Sequence, residues 1–454
     1  MKSFDVVILG AGPGGYGLAN ILSLNKLNVA LIEANDLGGT CINKGCVPTK
    51  TLIKSARVFE TVKNSSKYGI YSDNVRYNLK TIQQRRIDNK NLLNSNIEKQ
   101  IISNKITLFK GYGEVIDRNT IKINQQTLKF NKLVLATGSR PKMINIKGLE
   151  QSRKNGYLID SDQALVLDEV LKSIVIIGDG PISLEFAYFY STLNTQVTIL
   201  TNTNFLSRFD IDIQQSVKQY FEQKKIKVIE NINISKLVNN KVYFDNQNFV
   251  VGEKILLAVG RIPNNESFNS LDIKKDKNGF VIVDDQMKTN IDNIYAIGDI
   301  TGLNLLSSVA YKTSDIVARN ILHNNNEEQL DVNLVPWTIY LNPEIAGAGL
   351  NEQQLIAKNM DFEKIIINSK SLPRAHADGV VSDYSFIKFL VSKQTNKILG
   401  CFMMIENANL LINHVALFMQ QKLTFNWLQK SIYTHPTISE ALYYVSRIRS
   451  ISTE

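Results

Sequence analysis

The chain has 454 residues, 44% hydrophobic and 21% charged; that is too long for one core and suits a soluble globular protein of about three domains. No run approaches the roughly 18 apolar residues that cross a bilayer, and a strand begins almost at once, so neither a membrane partner nor a signal peptide is expected and the cytoplasm is the expected compartment. The net charge is +10, yet the lysines are scattered among asparagines, as at Lys63-Asn64 and Asn89-Lys90-Asn91, which reads as a solvated surface with no nucleic-acid partner.

The first element is the apolar run Asp5-Val6-Val7-Ile8-Leu9, a strand. It leads into Gly10-Ala11-Gly12-Pro13-Gly14-Gly15 and a helix from Tyr16 to Leu24. Gly10 permits the tight turn, Gly12 lets backbone approach a pyrophosphate, and Gly15 lets helix and strand pack closely. The helix N-terminus then faces the phosphates. The next strand, Val29 to Ile32, ends at Glu33, whose carboxylate suits ribose hydroxyls. Strand, glycines, helix, strand and acid in register specify a dinucleotide site.

Gly38-Gly39-Thr40-Cys41-Ile42-Asn43-Lys44-Gly45-Cys46-Val47-Pro48-Thr49-Lys50 follows, and it holds two of the three cysteines in the chain. Cys41 and Cys46 are close enough for a disulfide if the backbone between them turns as a helix does. A thiol pair beside a bound dinucleotide suggests electron transfer to or from sulfur; two buried cysteines adjacent by chance is the bland alternative. In the cytoplasm such a disulfide is catalytic rather than structural. Lys50 lies four residues after Cys46, on the same helical face. A long polar helix is expected from Tyr77 to Ile102, then a strand at Ile106 to Phe109.

A second fingerprint follows. Ile174 to Ile177 is a strand, and Gly178-Asp179-Gly180-Pro181-Ile182-Ser183 opens the next helix. Ser183 takes the place of the third glycine, and its small side chain still permits close packing. The following strand, Gln196 to Leu200, ends at Thr201-Asn202-Thr203 with no acid. Two dinucleotide sites and a dithiol suggest a relay of nicotinamide, flavin and disulfide. Downstream, His323 to Glu328 reads as a polar linker, Phe386 to Leu390 as a strand, and Leu410 to Gln420 as a helix. Cys401 reads as a core residue, and no metal site is expected.

Four further segments carry a resemblance: Ala136-Thr137-Gly138, Val259-Gly260-Arg261-Ile262-Pro263-Asn264, Asn293-Ile294-Tyr295-Ala296-Ile297-Gly298-Asp299, and His435-Pro436-Thr437-Ile438-Ser439-Glu440. With the two fingerprints and the cysteine segment, the chain resembles the pyridine nucleotide-disulfide oxidoreductases over essentially its full length. The resemblance implies an α/β fold with two Rossmann-like dinucleotide-binding domains, for FAD and NAD(P), and a C-terminal α+β dimerisation domain. The expected division is 1–145 for the first FAD segment, 146–265 for the NAD(P) domain, 266–330 for the return to the FAD domain, and 331–454 for the interface.

The resemblance also implies roles. Cys46 lies against the flavin as the charge-transfer thiolate, and Cys41 is the interchange thiol that meets the substrate disulfide. Lys50 meets the flavin and pairs with Glu185. His435 is the base, with Glu440 holding its other ring nitrogen, and it serves the partner subunit of a homodimer. Asp299 approaches the ribityl chain. Gly14, Gly39, Thr40 and Gly113 join the flavin-binding set, and Pro181, Ile182 and Gly260 the nicotinamide set.

Within the family the substrate stays open. The missing acid at Thr201 departs from dihydrolipoamide dehydrogenases, and the missing arginines depart from NADPH-dependent glutathione reductases. Mercuric reductases carry a C-terminal cysteine pair that is absent here. The helix Ser183-Leu184-Glu185-Phe186-Ala187 and the Cys-Val-Pro-Thr-Lys ending favour dihydrolipoamide dehydrogenase with FAD and NAD, acting on a small-molecule or lipoyl-domain dithiol, with NADP as the alternative cofactor. A flavoprotein with a mainly structural or binding role is the alternative from another class.

Overall fold

The computed structural model describes residues 2–245, 248–323 and 329–452; residues 324–328 of the expected linker lie outside them. The strand Lys2–Leu9 is central to a seven-stranded sheet, with Val29–Glu33 and Thr107–Lys110 on one side and Gln126–Leu135 on the other. All four run parallel. Val6 to Leu9 are buried, as expected of a parallel strand covered on both faces. Ile294–Ala296 returns late in the chain to pair with Gln126–Leu135, so the last segment completes the first sheet.

A second, five-stranded parallel sheet repeats the plan. Its order is Lys227–Ile229, Gln196–Leu200, Ser173–Ile177, Lys254–Leu257 and Leu158–Ile159. Two short strands, Ser139–Pro141 and Arg261–Pro263, pair antiparallel where the chain leaves and re-enters the first fold. The third sheet is antiparallel, in the order Trp337–Ile339, Glu344–Gly349, Ile398–Ile405, Phe386–Ser392 and Phe362–Asn368. The architecture is α/β with two Rossmann-like units and an α+β unit.

Element ends follow local chemistry. The long polar helix is Leu79–Ser103, because the Asn78 side chain caps it by accepting from Thr81 N–H. The first fingerprint helix is Pro13–Leu24, with proline in its first turn, where no amide partner is needed. No helix among the described residues is long and apolar enough to cross a membrane.

The third unit is tied to the second by a buried charge cluster. Every residue of Phe386–Ser392 is buried, including Lys388. Its ammonium lies 2.5 Å from Asp210 and 3.0 Å from Glu352, and it also bonds Asp212. Asp210 is fully buried, so removing the cation strands a carboxylate in low dielectric. Lys388→Ala is therefore expected to cost about 3–5 kcal/mol. Chemical denaturation of the two proteins measures it, and a cost under about 1 kcal/mol would contradict this account.

Candidate active site

The fingerprint turns have the shapes that their glycines require. A Cβ on Gly15 would meet the Gly10 carbonyl oxygen at 1.9 Å, and one on Gly10 would meet the Ala136 oxygen at 2.3 Å. Helix and strand thus touch through bare backbone. Gly12 is different: its nearest neighbour would be Gly39 Cα at 3.9 Å. At Gly138, Gly180 and Gly260 an added Cβ would meet no described atom within 4 Å. The helices Pro13–Leu24 and Pro181–Thr192 each begin after a glycine, with no side-chain cap and no acid in the first turn. Their leading N–H groups face open cradles that suit an anionic pyrophosphate. These cradles fit two dinucleotides.

Around them stand the other candidates. Glu33 is buried; its carboxylate accepts from Ala11 N–H at 2.7 Å and Asn35 N–H at 2.8 Å. Thr137 Oγ1 donates to the Asn264 carbonyl at 2.8 Å, tying two of the motif segments together. Asp299 accepts from Ser139 Oγ at 2.6 Å, and Arg261 Nε donates to the same Ser139 oxygen at 2.7 Å. Sequence reasoning named Asp299 but missed Ser139. Gly14 packs against the Ala310 backbone, and Ile182 packs against a core cluster. Gly113 stands apart from the open cradles, since Leu9, Ile32 and Ile121 fill the space a Cβ would take. Thr201 is buried at the end of its strand, 3.5 Å from the Thr203 hydroxyl. Ser183 is also buried, and its hydroxyl has no partner among the described residues.

The cysteine loop is pressed onto the first turn. Gly38 N–H donates to the Ala11 carbonyl at 2.8 Å, and a Cβ on Gly39 would meet Gly12 Cα at 2.6 Å. Thr40 and Cys41 lie in the short helix Gly39–Asn43, and a new helix, Cys46–Lys63, starts at the second cysteine. Both cysteines are free thiols, Cys46 the more exposed. Ser307 Oγ lies 3.5 Å from Cys46 Sγ. No spacing signal in the sequence linked these two residues, which are 261 positions apart.

The two thiols differ in acidity. The hydrogen bond from Cys41 is the main cause that pulls the Cys46 thiol down to about 6. Desolvation opposes it, and the Ser307 hydroxyl and the Lys50 ammonium add to it. The same hydrogen bond, with burial, pushes Cys41 well above the ordinary thiol range. One proton is therefore shared unequally within the pair, which draws the acidity toward Cys46.

One turn on from Cys46, Lys50 Nζ lies 2.8 Å from both Glu185 carboxylate oxygens. Burial disfavours the Lys50 ammonium, but Glu185 outweighs this and raises its pKa. The pair joins the cysteine helix to the helix of the second nucleotide fold. His435 belongs to the C-terminal unit. Its Nδ1 is 2.8 Å from Glu440 Oε1, and Glu440 Oε2 accepts from Thr437 N–H at 2.8 Å. Burial pushes the Glu440 carboxyl up, but these two bonds prevail and hold it below its ordinary value. With Nδ1 facing a carboxylate, the other ring nitrogen points away from Glu440 and can accept a proton.

Residues 4–319 match the family described as pyridine nucleotide-disulphide oxidoreductase, and residues 335–445 match its dimerisation domain. The dihydrolipoyl dehydrogenase of Mycoplasma genitalium is 32% identical, over 96% of each chain. That of Mycoplasma pneumoniae is 33% identical, over 97% of each. The structure of the HOCl-induced flavoprotein disulfide reductase RclA from Escherichia coli, as its Cu(II) complex, superposes with a TM-score of 0.88 at 26% identity. That match covers 99% of this chain and all of RclA.

Proposed function

Because this chain belongs to the pyridine nucleotide-disulphide oxidoreductases, we propose that it acts as a dihydrolipoyl dehydrogenase, oxidising a lipoyl dithiol at the expense of NAD+. It is an FAD- and NAD(H)-using dithiol/disulfide oxidoreductase. The observation that carries the reading is the Cys41–Cys46 pair, with its acidity split and Lys50 one turn away. The full-length likeness to two proteins named dihydrolipoyl dehydrogenase supports the lipoyl substrate.

Gly10, Gly12, Gly15, Glu33 and Asp299 would hold FAD, and Gly178, Gly180, Glu185, Thr201 and Gly260 would hold the nicotinamide nucleotide. Bound, these groups carry hydride and the two electrons. The residues of the chain do the rest. His435 takes the proton from one substrate thiol, and the resulting thiolate attacks Cys41 Sγ of the oxidised pair. The Cys41–Cys46 bond breaks, and Cys46 leaves as thiolate. The second substrate sulfur then displaces Cys41, which takes up a proton. The substrate has become a disulfide and the enzyme a dithiol, a balanced two-electron exchange. The matched dimerisation domain supports a homodimer. Placement of Cys41 and His435 in different units supports sites shared between its subunits, and a reversibly oxidised cysteine pair suits the cytoplasm.

A steady-state panel tests the reading: NADH and NADPH against lipoamide, glutathione disulfide and mercuric ion. Fastest turnover is expected with NADH and lipoamide. Faster turnover of glutathione disulfide with NADPH would replace it by a second reading, an NADPH-dependent reductase of small disulfides, which the missing acid at Thr201 leaves open.

Thr201 also predicts loose nucleotide choice. An acid there would make a charge-assisted hydrogen bond to the ribose, worth roughly 1.5–3 kcal/mol. Thr201→Glu is expected to favour NADH and Thr201→Arg to favour NADPH, read as the ratio of kcat/KM values. A wild-type enzyme that already rejects NADPH by several orders of magnitude would contradict this.

A further inference from the structure

The Lys50 ammonium has a second contact besides Glu185. It lies 4.7 Å from the centroid of the Tyr340 ring. Tyr340 also donates its backbone N–H to Glu185 Oε1 at 3.1 Å. It stands just past the strand Trp337–Ile339, in the third sheet. One residue of the C-terminal unit therefore grips both members of an ion pair that spans the two nucleotide folds.

The two partners of Lys50 act differently. Glu185 holds the ammonium but cancels its charge. An aromatic face attracts a cation through its quadrupole and carries no net charge. It fixes where the ammonium sits without adding a second countercharge. Its surroundings include the Cys46 thiol, whose acidity Lys50 raises. Negative charge arriving on a flavin at this face would be met by a preorganised cation rather than a mobile one.

We propose that Tyr340 is a positioning residue whose ring fixes the Lys50 ammonium for its work at the flavin and at Cys46. The inference rests on the functional reading above, with Lys50 meeting the flavin as the family resemblance implies.

The test compares Tyr340→Leu with Tyr340→Phe in the FAD-loaded full-length enzyme, and Tyr340→Met repeats the comparison should the leucine variant lose FAD. Two quantities are read. One is the single-turnover rate of flavin reduction by NADH. The other is the pH midpoint of the long-wavelength charge-transfer band from Cys46. The groups facing Cys46 are Cys41, Lys50, Glu185 and Tyr340, with the Ser307 hydroxyl, and only the ring of Tyr340 changes. Tyr340→Phe should match wild type. Loss of the ring should slow reduction about tenfold and move the midpoint up by about half a unit. A leucine or methionine variant with wild-type rate and midpoint overturns the proposal. So does a phenylalanine variant as impaired as leucine, because the hydroxyl would then be responsible. A wild-type enzyme with no charge-transfer band defeats the functional reading and this inference together, whereas an intact band with unaffected variants defeats the inference alone.

Discussion

Cys46→Ser is expected to abolish the charge-transfer absorption that two-electron reduction produces in the wild-type enzyme, and Cys41→Ser is expected to keep it. The Cys46 thiol is the acidic member of the pair, at about 6, because Cys41 donates to it and Ser307 and Lys50 lie beside it. Cys41 is pushed the other way and stays protonated at neutral pH. Cys46 is a thiolate above about 6, so the wild-type band should be present at pH 7 and fade as the pH falls through that value. Serine at position 41 still donates a hydrogen bond, whereas Cys41→Ala does not, so alanine should move the midpoint upward. Each single variant should lose disulfide turnover by about four orders of magnitude, since neither sulfur alone completes the exchange. A band that survives Cys46→Ser and vanishes in Cys41→Ser would reverse the assignment.

His435→Ala is expected to lower dithiol turnover by about 10²–10⁴-fold, the usual range for a lost general base, while reduction of the flavin by NADH stays near wild type. The buried Glu440 holds Nδ1, and the side chain is 64% exposed, so its other ring nitrogen can be reached from outside its own unit. If the sites are shared, a Cys41→Ala chain and a His435→Ala chain are each inactive as homodimers. Their mixed dimer has one doubly broken site and one intact site. Random reassortment makes about half the dimers mixed, so activity should return to roughly a quarter of wild type. Joint unfolding and refolding with FAD provides the exchange. No recovery despite demonstrated exchange would mean that His435 serves its own chain or none.

Much of this protein was legible without coordinates, because the relevant signals are local. A glycine turn, its strand and its helix lie within about thirty residues, and the four-residue step from Cys46 to Lys50 is a property of any α-helix. Apolar runs named the parallel strands because strands covered on both faces must be apolar throughout. The antiparallel strand around Lys388 kept the same apolar signal, but nothing near it in sequence announced the carboxylates that neutralise it.

Tertiary structure decided what joins distant segments. Ser307 reaches Cys46 across 261 residues, and Lys50 meets Glu185 across 135, a pairing that the family resemblance implied and no local pattern carried. Tyr340 closes on that ion pair from a third unit. Asp210, Asp212 and Glu352 carry no local signal, and the fold gathers them around one buried ammonium. Backbone periodicity is written along the chain, whereas the acidity of Cys46 and the orientation of Lys50 depend on how separate units dock, because charges interact by their distance in space and not by their separation in sequence.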